Sequence, residues 1–202
     1  MNTILGIAGL VFVSAVTPGP NNLAVLRIAG EQRIKATALA IMSIVLGGLA
    51  LLVLIHFGLD TVMDRHSWFR AALTIGGAAY LAYLGAVTVY GTFRKGPRSD
   101  AAPLPRPGST AWSLFAFQFS NPKAWVLITT AAAAVHGSGS SDSRQLVTLA
   151  LLLTIIPIVC LSAWTLLGRG LRRYSQNPGV QLWITRAMGM LLMTSAFCLI
   201  AP

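Results

Sequence analysis

Lys123 stands in the middle of an apolar run over residues 111–135, directly after Ser120-Asn121-Pro122. If that run crosses a bilayer, an ammonium near its centre costs about 2.5–3.5 kcal/mol on insertion scales. In the first turn of a helix, where the proline would place it, the dipole opposes the charge by a further ~0.3–1 kcal/mol. Something must compensate. No Asp or Glu lies deep in any long apolar run of the chain, so a carboxylate brought by a substrate is the natural counter-charge; the alternative is a lysine that is neutral at rest.

A second interruption, Thr17-Pro18-Gly19-Pro20-Asn21-Asn22, divides the apolar run over residues 3–29. Pro18, Pro20 and Pro122 lack an N–H and clash with the preceding turn, so a continuous helix through any of them costs about 3 kcal/mol or more. The helices are therefore expected to unwind at residues 18–21 and 120–122 and to restart, with proline in a first-turn position and Thr17 or Asn121 as N-cap. Restarted helices expose N-terminal N–H groups and positive dipole ends, which suit an anion. The candidate binding residues are Thr17, Pro18, Gly19, Pro20, Asn21 and Asn22 from the first interruption and Gln118, Ser120, Asn121, Pro122 and Lys123 from the second. Tyr80, which shares a helix face with Tyr83, is a further candidate cavity residue.

The elements that must hold these residues follow from composition. The chain has 202 residues, 55% hydrophobic and 10% charged, with a mean hydropathy of +0.70; soluble domains carry about 25% charged residues. Residues 36–59, 71–93 and 145–168 contain no Asp, Glu, Lys or Arg, and each is long enough for a hydrocarbon core of about 30 Å. With the interrupted runs 3–29 and 111–135, and the run 179–201 that carries Arg186, the expectation is an all-α polytopic membrane protein of six transmembrane helices. Arg186 lies two turns inside its span and can snorkel.

Net charge is +10, but its distribution argues against nucleic acid. Ten Lys and Arg fall in or beside the segments after spans one, three and five, against three on the opposite side. That bias puts the ten in the cytoplasm and both termini outside. The start of the chain has no cation before its apolar run, unlike a secretory signal. Trp68, Trp112, Trp164 and Trp183 suit span ends, whereas Trp125 should pack in protein or face a cavity. Cys160 and Cys198 read as small buried hydrophobes, and His56, His66 and His136 as interfacial residues. No catalytic constellation, metal cluster, phosphate loop or cofactor motif is present.

Residues 96–108 hold four prolines and three charges, and split the chain into a first three-helix repeat (1–93), a cytoplasmic basic linker (94–110) and a second three-helix repeat (111–202). Three spans per half put the halves in the membrane with inverted topology. Pro20 and Pro122, 102 residues apart, mark the same break in spans one and four, and Gly77 and Gly189, 112 apart, are a weaker match. Paired interruptions of this kind point to a transporter's binding site.

The motifs Thr17-Pro18-Gly19-Pro20-Asn21, the stretch 77–85 (GAAYLAYLG) and the stretch 117–124 (FQFSNPKA) resemble those of the bacterial lysine-exporter (LysE) family, including its homoserine and threonine branch. The resemblance implies a multi-pass inner-membrane exporter of amino acids, coupled to protons and acting as a homodimer. Ala40 and Ser43 stand where the family would place glycines, with Gly47 and Gly48 following. The lack of a deep carboxylate favours neutral or small polar amino acids over lysine or arginine. Competing readings are export of a metal ion or another small solute, and a non-transport membrane assembly protein.

Overall fold

Helices begin and end where the sequence changes character. The computed structural model describes residues 2–31, 34–59, 67–94, 111–136, 143–172 and 177–200. Among these, the regular structure is helical throughout: α1 (Asn2–Val16), α2 (Pro20–Glu31), α3 (Ile34–Leu54, continued by a wider turn Ile55–Leu59), α4 (Ser67–Arg94), α5 (Ala111–Ser120), α6 (Pro122–His136), α7 (Ser143–Arg172) and α8 (Pro178–Ile200). The linker beyond Arg94, His66, and the side chains of His136 and Cys198 lie outside the described residues.

Stretches Ile34–Phe57 and Arg144–Leu171 are each long and apolar enough to cross a membrane; α1 and α2, bent by 50° at their break, make a third if taken as one span. Shorter apolar stretches occupy Ala78–Phe93 and Leu182–Phe197. The outer surface is correspondingly greasy: Leu5, Phe57, Leu166 and Phe197 are 76%, 80%, 70% and 69% exposed. In water such a surface would drive association, and in a bilayer it is the expected lining. The protein is membrane-integral.

The interruptions are shorter than the sequence suggests. Only residues 17–19 and Asn121 leave the helical path, while Pro20 and Asn21 belong to α2, Ser120 to α5 and Pro122 to α6. Proline is tolerated at the first helical position, where its missing N–H would have no partner anyway, and each restart begins on its proline, the first-turn placement the sequence predicts.

Three buried clusters surround these breaks. Ile7 and Val11 of α1 meet Leu51 and Leu52 of α3, Ile128 of α6 and Leu149 of α7. Val25 and Ile28 of α2 meet Ile41 and Ile44 of α3, Leu114 of α5 and Leu161 of α7. Leu23 and Leu26 of α2 join Leu81 and Leu84 of α4 and Leu192 of α8.

Helices α4 and α8 lie side by side, and their backbones touch. A Cβ on Gly85 would stand 2.6 Å from the Gly189 carbonyl oxygen; one on Gly189 would stand 2.8 Å from that of Gly85 and 2.6 Å from Val89. Where lipid is as apolar as the helix, close van der Waals approach is what drives association. Nearby, Arg186 donates from Nε to Thr92 Oγ1 at 3.0 Å and stacks 4.4 Å over the Phe93 ring. It is thus held at the C-terminal end of α4, where the dipole favours a cation.

Candidate functional site

At the first interruption α1 is closed by Thr17, whose N–H donates to Val13 O at 3.0 Å and whose hydroxyl donates to the same oxygen. Thr17 therefore ends α1 and does not cap α2. The N-cap of α2 is Gly19, its carbonyl accepting from Leu23 N at 3.1 Å. At the second interruption Asn121 caps α6: its Oδ1 accepts from Lys123 N at 3.2 Å, and its carbonyl from Ala124 N at 3.0 Å and Trp125 N at 3.2 Å. That is the N-cap geometry, a side-chain oxygen on a second-position N–H.

The two interruptions sit against each other. Lys123 Nζ donates to Thr17 O at 2.7 Å, so the ammonium answers a carbonyl at the C-terminal end of α1, the negative end of that helix. Gly19 makes room for it, since a Cβ there would stand 3.1 Å from Lys123 Cδ and 3.2 Å from Nζ. Asn21 and Gln118 form a reciprocal amide pair, Nδ2 to Oε1 at 3.0 Å and Nε2 to Oδ1 at 2.9 Å. Gln118 is buried; Asn21 pairs with both of its amide ends, and Nε2 also donates to Leu114 O at 3.4 Å.

Other carbonyls around the breaks also have partners. Asn22 Nδ2 donates to Ala15 O at 2.8 Å, Ser195 Oγ to Pro18 O, and Trp125 Nε1 to Phe119 O at 2.9 Å. Trp125 thus packs in protein, against the cluster of α1, α3, α6 and α7. One further carbonyl is released elsewhere: Pro157 lies inside α7 and has no N–H for Leu153 O, four residues earlier.

A cavity of about 90 Å³ opens beside this junction; one water needs about 10–15 Å³ of such space, so a small organic molecule can enter. Its lining is mixed: Asn21, Asn22, Gln118, Asn121 and Lys123 are polar, beside Gly19 and Pro20, while Ile44, Val45, Leu127, Ile128, Leu153, Pro157 and Leu161 are apolar, with Gly48 among them. A polar head and an apolar tail would both find a surface there.

Of the expected site residues, Gly19, Pro20, Asn21, Asn22, Gln118, Asn121 and Lys123 line the cavity. Thr17 and Pro18 support it through their carbonyls, Ser120 is exposed, and Pro122 is the half-buried start of α6. Tyr80 is not brought to the cavity; it packs on α4 against the cluster of α2, α4 and α8. The apolar wall went unread in the sequence, although Pro157 within a charge-free run and the pair Gly47-Gly48 were visible signals. Among the described residues no three His, Cys, Asp or Glu gather as metal ligands.

Residues 12–201 match the family described as LysE type translocator. The chain belongs to that family. Within this LysE-type chain, a segment of 98 residues is 33% identical to an uncharacterized membrane protein of Pseudomonas aeruginosa, covering 48% of the chain and 45% of that protein. Another of 118 residues is 29% identical to a leucine efflux protein of Salmonella typhimurium, covering 58% of the chain and 55% of that protein. The matches span about half the length of these curated relatives. No solved structure matches the LysE-type chain.

Proposed function

We propose that this translocator is a secondary exporter of neutral amino acids with aliphatic side chains. The observation that carries the reading is a cavity lined by both polar and apolar side chains. Lys123, with the N-termini of α2 and α6, suits a carboxylate; Leu153 O, lacking its helix partner at Pro157, suits an ammonium; Ile44, Val45, Leu127 and Leu161 suit an aliphatic chain. The Asn21–Gln118 amides offer both donors and acceptors to a zwitterion once they part. The leucine efflux protein of Salmonella typhimurium is consistent with such a cargo.

In this reading the chain makes six spans in the bacterial inner membrane, with helices α1–α2 and α5–α6 as the broken first and fourth, and works as a homodimer. Its halves, 1–93 and 111–202, form an inverted repeat joined by a cytoplasmic linker. Two spacings support this: Pro20 and Pro122 are 102 residues apart, and Gly85 and Gly189, which touch, are 104 apart. Gly85 is therefore a better repeat partner for Gly189 than Gly77 is. Rocking of one repeat against the other would expose the cavity alternately, driven by the proton gradient.

Cells with and without the protein are expected to differ in a growth-inhibition panel of amino acids and dipeptides. Those carrying it should tolerate branched-chain compounds better and hold smaller intracellular pools of them, an effect lost when the proton gradient is collapsed. Equal pools across the whole panel would overturn the exporter reading. For topology, Ser99→Cys and Ala201→Cys, each in a background without the natural cysteines, are to be labelled in intact cells with an impermeant reagent. Ala201→Cys should label and Ser99→Cys should not; the opposite pattern overturns the orientation.

A further inference from the structure

Gly47 and Gly48 are neighbours on α3 with opposite surroundings. A Cβ on Gly47 would stand 2.6 Å from both Gln118 Cγ and the Phe115 carbonyl oxygen, so Gly47 is glycine because α5 leaves no space. A Cβ on Gly48 would meet nothing within 4 Å. Packing of α3 therefore does not explain a glycine at 48. What Gly48 does adjoin is the cavity, one turn beyond Ile44 on the same wall.

We infer that Gly48 sets the size of the aliphatic side chain that the cavity accepts. The inference rests on the exporter reading and names its specificity residue. Any side chain at 48 occupies space that is empty within the protein and lies at the apolar wall. Lys123 does not lie within 4 Å of the position a Cβ on Gly48 would take, so a substitution should act on side-chain size rather than on recognition of the amino-acid head. In an apolar pocket one methylene more or less changes discrimination by about 10–200-fold. Alanine is also the better helix former of the two residues, which removes a folding objection to the variant.

The test is counterflow of radiolabelled glycine, alanine, valine and leucine in proteoliposomes of the full chain, for wild type, Gly48→Ala and Gly48→Val, normalised to reconstituted protein. The leucine-to-alanine rate ratio is expected to fall about tenfold or more in Gly48→Ala and further in Gly48→Val, with alanine transport persisting. An unchanged ratio in variants that still transport overturns the role of Gly48 and leaves the exporter reading intact. A wild type that moves none of the four, in liposomes with or without a proton gradient, overturns the exporter reading and the inference together. If Gly48→Val does not reconstitute, Gly48→Ala decides alone. Failure of Gly48→Ala to fold contradicts the open space around the residue and also overturns the inference.

Discussion

Lys123→Met is expected to insert and fold yet to lose at least nine-tenths of export per inserted molecule. The stability side nearly balances. Removing the ammonium relieves an insertion cost of about 2.5–3.5 kcal/mol. It also leaves Thr17 O, the acceptor at 2.7 Å, without that donor, a loss of about 1–3 kcal/mol. Methionine keeps a similar apolar volume beside Gly19, so the junction need not collapse. Function has no such offset. A hydrogen bond to a charged partner is worth about 1.5–3 kcal/mol, or roughly 10- to 150-fold in rate at about 1.4 kcal/mol per decade.

Lys123→Arg should also impair export. The guanidinium is a planar fork where the space beside Gly19 fits a compact ammonium, and the two cations are not interchangeable at a shaped site. The measurement for both is export rate normalised to membrane-inserted protein. Near-normal turnover in Lys123→Met would rule out a carboxylate-binding role, while lowered insertion with normal turnover would make the lysine a structural tie between α1 and α6.

The second large effect concerns the α4–α8 crossing. Gly85→Ala and Gly189→Ala should each destabilise the protein by about 1–3 kcal/mol, the usual cost of forcing extra atoms into a packed site. Each clash includes backbone: 2.6 Å to the Gly189 oxygen in one case and 2.8 Å to the Gly85 oxygen in the other, where the Val89 Cγ2 methyl also stands at 2.6 Å. Neither oxygen can turn away as a flexible side-chain tip would, so the helices must separate and give up contacts along the seam. Because both changes act at one crossing, the double variant should cost less than the two added together. Thermal unfolding in detergent, followed by size-exclusion chromatography, checks this. Single variants that melt with the wild type would show that the helices can move apart freely.

Local chemistry was legible from residue order. Pro20 and Pro122 dictate where helices can restart, because a fixed φ and a missing N–H act on the immediate turn whatever surrounds it. Asn121 before Pro122 marks an N-cap for the same local reason. Lys123 in an apolar run stands out because the cost of its charge depends on the medium and hardly on the neighbours. Thr17 shows the limit of such rules: two prolines follow it, and the helix chose the second, leaving Thr17 to close α1 through Val13 O.

Pairing across the chain was not legible. That Asn21 meets Gln118, that Lys123 reaches Thr17, that Gly189 touches Gly85, and that Gly47 is crowded while Gly48 is open are all relations between helices far apart in sequence. In a soluble protein the polar face of a helix tells which side points outward. Here the helices are apolar nearly all round, and lipid is as hospitable as protein to Leu, Ile or Val. Sequence therefore decided which segments leave water and which residues cannot tolerate doing so without a partner. The choice of face for Tyr80, and the apolar lining of the cavity, came from close packing between helices, which alone distinguishes one apolar neighbour from another.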